Sequence, residues 1–107
     1  MVKQAKKDAP NAFQYVEIDS YEVGPQNWTD GMDSIFQSKY AYDFTPFLPL
    51  FAGKYIEDVE TIEDVFWDMK RLVSDLMVTN YFDYFTELCH QDGLISYIEP
   101  YGFVGPF

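Results

Sequence analysis

The sequence predicts an α/β fold in which two short strands flank a run of helices. Three observations carry this expectation: a segment rich in β-branched and aromatic residues near the start, a long helical period in the second half, and a short apolar run after a glycine near the end. At 107 residues the chain holds one domain at most, enough to bury a single core.

The first twelve residues, MVKQAKKDAPNA, carry most of the early positive charge and little that packs, and Pro10 and Asn11 then punctuate the chain. They read as a lead-in or a helix end. Phe13 to Asp19 (FQYVEID) alternates like a first strand, with Phe13, Tyr15 and Glu17 on one face and Gln14, Val16 and Ile18 on the other. Gly24 and Pro25 stop regular structure in the loop that follows, which gathers polar side chains around Trp28. Met32, Ile35, Phe36 and Tyr40 recur at three and four residues and predict a short amphipathic helix through about Lys39. Thr45 is placed as an N-cap before Pro46, and Gly53 sits where a left-handed stop belongs. From Thr61, read as the next cap, the helical period runs through Val65, Met69, Leu72, Leu76, Phe85 and Leu88 to Gly93. Glu57, Asp58, Glu60, Glu63 and Asp64 cluster at that helix start, where the helix dipole favours negative charge. Leu94 to Glu99 (LISYIE) completes the order as a buried strand. Two strands joined through helices imply a parallel pair with a right-handed crossover, its strands ending at one edge of the sheet.

Composition narrows the function. Eighteen acidic residues against seven basic ones give a net charge of −11, which repels nucleic acid and anionic membrane surfaces alike. Aromatic residues at 20% argue against disorder. No signal peptide is evident in Met1 to Phe13, and nowhere do 18 apolar residues run together. Cys89, the only cysteine, leaves neither an intrachain disulfide nor a thiolate metal cage.

Ligands of parallel α/β sheets sit at the carboxyl ends of the strands, which is where Asp19, Glu22 and Glu99 fall. Two carboxyls facing one cleft are the minimal equipment for glycoside hydrolysis, one giving a proton to the leaving oxygen and the other activating water or attacking. Tyr21, Asn27, Trp28, Tyr97 and Tyr101 offer flat rings and polar tips suited to a sugar. Plainer roles stand beside these. Asp19 can orient its loop through backbone amides, Trp28 serves equally as a packing anchor, His90 matches the dipole at a helix end, and Cys89 fits a small buried position.

Three segments go further: Asp19 to Thr29 (DSYEVGPQNWT), the stretch FTELCHQDGL around Leu88-Cys89-His90, and Glu99-Pro100-Tyr101-Gly102. In order and nearly without gaps, they resemble glycoside hydrolase family 106, the α-L-rhamnosidases. The resemblance runs from about Phe13 to the C-terminus. It implies an α/β strand-helices-strand portion of a TIM-like (β/α)8 barrel over residues 13–107, from an enzyme that removes terminal α-L-rhamnose from plant glycans with inversion. Glu22 and Glu99 map onto the family's motif glutamates and are the implied catalytic pair, with Asp19, Tyr21, Asn27, Trp28 and Tyr101 at the substrate.

The resemblance also implies calcium at the sugar site of the parent family, although Asp19 and Glu22 alone offer too few oxygens for tight binding by this chain. A closed barrel needs eight strands and about 250 residues, so the chain is expected to be inactive by itself and to pair with the remaining barrel segments or with itself. The bare sheet face predicts exposed apolar side chains among Phe13, Tyr15, Val16, Ile18, Leu94, Tyr97 and Ile98. The alternative reading is a small acidic α/β module that binds carbohydrate or a protein partner.

Overall fold

The computed structural model describes residues 1–20, 27–54 and 58–99. Its elements, in order, are α1 (Val2–Asp8), β1 (Tyr15–Ile18), α2 (Met32–Tyr40), a 3-10 turn (Thr45–Phe47), α3 (Leu48–Phe51), α4 (Val59–Met77), a π-helical segment (Val78–Asp83), α5 (Tyr84–Gln91) and β2 (Ile95–Ile98). The described residues fall into two compact units: residues 1–20 with 76–99, and residues 27–54 with 58–75.

The first unit is organised by its sheet. β1 and β2 pair in parallel, with Tyr15 opposite Ile95, Val16 opposite Ser96, Glu17 opposite Tyr97 and Ile18 opposite Ile98. The amides of Ile95 and Glu99 extend the ladder by donating to the carbonyls of Gln14 (2.8 Å) and Ile18 (3.1 Å). Alternation does the rest: Val16, Ile18, Ser96 and Ile98 are half-buried, while Tyr15, Glu17, Ile95 and Tyr97 are exposed. α5 packs against β2 and ends in a complete Schellman turn, in which Leu94 N–H donates to Cys89 O (2.8 Å) and Gly93 N–H to His90 O (2.9 Å). Gly93 holds the left-handed φ of 65° that this turn requires, and the accompanying apolar contact comes from buried Cys89 and Leu94. The lead-in residues form α1, whose Lys6 ammonium donates to the carbonyls of Asp92 and Gly93 just past that helix end. A cation there matches the helix dipole and satisfies carbonyls left over by the helix.

The second unit is held by rings. Phe36, 1% exposed, stands 4.8 Å from Tyr40 and 5.0 Å from both Tyr42 and Phe44, centroid to centroid. The chain of rings continues from Phe44 to Phe51 (5.3 Å) and on to Phe66 (4.9 Å) on α4. α4 turns Val65, Met69, Leu72 and Val73 into the core, the spacing expected of one helix face. Carboxylates rather than threonine hydroxyls hold the helix starts. Asp58 accepts from the Thr61 amide (3.0 Å) and hydroxyl (2.9 Å), and Asp43 accepts from the Thr45 amide (2.8 Å). Gly53 takes its left-handed stop at φ 74°, but behind a 3-10 turn and a single α turn, because Pro49 denies the segment an amide donor.

The expected class, a strand-helices-strand portion of a TIM-like barrel, is overturned. Sixty-two per cent of the described residues are helical, and the four-residue strands pair only with each other. The parallel pairing itself is present, but a barrel portion is built of repeating strand and helix units around a continuous sheet, and here six helical elements lie between β1 and β2 with no strand among them in the described residues. The helical period read as unbroken from Thr61 to Gly93 widens into a π-helix at Val78-Thr79-Asn80, three successive residues with poor helix propensity. On the open face of the sheet Tyr15 and Tyr97 are exposed as anticipated, and Ile95 joins them, whereas Leu94 is buried by its turn and Ile98 is half-buried. No helix among the described residues is long and apolar enough to cross a membrane.

Candidate functional site

The carboxyl-terminal edge of the two-stranded sheet carries the acidic groups of interest. Asp19 directly follows β1 and Glu99 directly follows β2, both exposed, and the parallel register brings these two positions to one edge. Asp19 turns its carboxylate onto the Ser20 amide at 2.6 Å, so it shapes the chain leaving β1. Glu99 is anchored through its backbone to Ile18. Its side chain meets Glu17, which the register sets opposite Tyr97 and therefore diagonally across from Glu99 on the same open face.

Three effects hold the Glu17 carboxyl above its ordinary value. Loss of hydration is the largest; the hydrogen bond with Glu99 and the negative charges of Glu99 and Asp19 add to it. Hydrogen-bonded carboxyls are too close to be the two opposed groups of a glycosidase, which stand about 5 to 9.5 Å apart. Glu17 is a neighbour of Glu99, and the second opposed carboxyl must come from elsewhere. Sequence reasoning passed over Glu17 because strand alternation gives its face but not its partner; the parallel register supplies the missing step.

The other predicted site residues divide into two groups. Tyr21, Glu22 and Tyr101 lie outside the described residues. Asn27 and Trp28 are exposed and belong to the second unit, where the Trp28 ring, 49% exposed, stands 6.0 Å from Phe44, so that it anchors packing while keeping a free face. Tyr97 is exposed on the sheet face beside Glu17. Cys89 is buried, which pushes its thiol up and away from nucleophilic use, with the charge of Asp92 adding to the effect. His90 is exposed in the last turn of α5.

Among the described residues no three His, Cys, Asp or Glu side chains stand so as to hold a metal ion.

The profile of the glycoside hydrolase family described as alpha-L-rhamnosidase matches residues 1–105. A curated protein of Formosa agariphila, named "Putative beta-glucuronidase", is 47% identical over 90 residues, covering 84% of this chain. The chain spans only 8% of that protein's length.

Proposed function

This chain belongs to glycoside hydrolase family 106, and on that premise we propose that it is a segment of an inverting enzyme that removes terminal α-L-rhamnose from plant glycans. Glu22 and Glu99 are the opposed carboxyls in this reading. One protonates the leaving glycosidic oxygen, and the other draws a proton from the water that attacks the far face of the sugar. Asp19, Tyr21, Asn27, Trp28 and Tyr101 contact the sugar in the same reading.

The observation that carries the reading is the family match over almost the whole chain, with the parallel register bringing Asp19 and Glu99 to one edge of the sheet. The segment on its own is inactive, because two carboxyls must be held at a fixed separation by a rigid surrounding shell.

Two aryl glycosides assayed side by side on the enzyme that carries this segment test the substrate. Turnover of an aryl α-L-rhamnoside is expected. Turnover of an aryl β-D-glucuronide alone would refute the rhamnoside reading and favour the activity named for the Formosa protein.

A further inference from the structure

Three lysines stand on α1, and the first unit uses them differently. Lys3 and Lys7 are exposed, whereas Lys6 is half-buried and reaches across to the other end of the chain. Its ammonium donates to the carbonyl of Asp92 and, at 2.8 Å, to that of Gly93, 86 and 87 residues away in sequence. Those two residues lie between the end of α5 and Ile95, the first residue of β2.

The contact closes a ring of hydrogen bonds. Leaving α1, the Ala9 amide donates to Ala5 O at 2.9 Å and the Phe13 amide to Ala9 O at 3.0 Å. Gln14 follows, with its side-chain amide on Asn11 O at 2.9 Å and its carbonyl accepting from the Ile95 amide at 2.8 Å. Ile95, Leu94 and Gly93 then lead back to the Lys6 ammonium. Both strands are thereby tied together where they begin.

This tie bears on Glu99 because the strands are only four residues each and their faces repeat every two residues. A slip of two residues would keep Val16, Ile18, Ser96 and Ile98 on the half-buried face, so alternation alone does not exclude it. It would carry Glu99 about 6.6 Å along the sheet, at about 3.3 Å per residue, away from its level beside Asp19. A misplacement of about 1 Å already costs about 10² in rate at a reacting centre. Asp92 and Gly93 move with β2, so the slip also breaks both bonds from Lys6. We propose that Lys6 is a positioning residue, which fixes the register in which β2 delivers Glu99 to the carboxyl edge of the sheet. Its consequence for catalysis rests on the reading of Glu99 given above; the register does not.

The test uses the enzyme that carries this segment and the aryl glycoside which that enzyme turns over, below the melting temperature of every variant. Lys6→Met keeps the apolar stem and loses the donors, while Lys6→Arg keeps charge and donors. Lys6→Met should lower kcat by about tenfold to hundredfold with KM within about twofold of the parent, and Lys6→Arg should restore most of the rate. Hydrogen exchange over residues 93–99 should quicken by about tenfold in Lys6→Met and return to the parent rate in Lys6→Arg. Lys6→Gln, too short to hold both carbonyls, repeats both readouts should the methionine variant fail to fold. A Lys6→Met enzyme that melts lower but keeps its kcat, or an arginine that rescues neither readout, would overturn the proposal, and a Glu99→Gln variant inactive in the same assay would leave the reading of Glu99 standing. If Glu99→Gln stays active, that reading fails instead and exchange decides the register: unchanged protection in Lys6→Met overturns the tie, and lost protection rescued by arginine supports it.

Discussion

Replacing Phe36 by alanine probes the ring core of the second unit most directly. The side chain is 1% exposed and touches three other rings at 4.8 to 5.0 Å, so the change removes a buried phenyl and leaves a void that α2 and the Tyr42-Phe44 segment cannot both close. Buried Phe-to-Ala changes cost about 3 to 5 kcal/mol, including the ring contacts. A chain of this size has about 5 to 15 kcal/mol in all, so much of its stability rests on this one ring. With a urea dependence of about 2 kcal/mol per molar, a loss of 4 kcal/mol lowers the unfolding midpoint by about 2 M. Both indoles, Trp28 and Trp67, lie in the same unit, and Trp28 packs on Phe44, so emission followed in urea reads the right part of the molecule. Phe36→Leu, which keeps most of the volume, should lose less than about 1.5 kcal/mol. A midpoint shift under about 0.5 M for Phe36→Ala would refute the ring-core reasoning.

Two further changes test the first unit. Gly93→Ala puts a side chain on a left-handed residue, and its Cβ would lie 2.8 Å from Lys6 Nζ; it should cost about 1 to 2 kcal/mol and free Lys6 from the end of α5, and a thermal melt that does not move would contradict the Schellman account. Glu17 has a raised value in the folded state, so its contribution is fully present below the ordinary carboxylate range and is lost as pH rises through the raised value. Glu17→Gln should therefore flatten the fall in melting temperature over that window and leave the chain more stable than the parent at neutral pH. An unchanged pH profile would place Glu17 away from Glu99.

Local chemistry made part of this architecture readable. Gly53 and Gly93 sit at left-handed stops because only glycine adopts that backbone without strain, and the Met32-Phe36 spacing marks the buried stripe of α2. Other features depend on partners distant in sequence. The lysines of α1 look like a solvated lead-in until Lys6 is seen on the carbonyls of α5. Thr45 and Thr61 have the composition of caps, but Asp43 and Asp58, two and three residues earlier, reach the same amides with a full charge. The barrel expectation extended two strands and a family resemblance into a continuous sheet, whereas the residues between them spend their apolar side chains on helix packing. Of the candidate site, Glu99 was legible from its place after an apolar run, while Glu17 needed the register of a strand 80 residues away in the chain. Glu22, Tyr21 and Tyr101 rest on motif alone.

In the proposed reading Glu99 acts on the glycosidic bond in an enzyme of this glycoside hydrolase family. The most direct measurement is kcat for an aryl α-L-rhamnoside in the enzyme that carries this segment, compared with its Glu99→Gln variant at matched melting temperature. Because Glu99 is exposed and held through its backbone, the amide should leave the fold intact and lower kcat by about 10² to 10⁴, the range of a lost acid or base. A variant that keeps most of its rate would remove Glu99 from the chemistry and with it the proposed site.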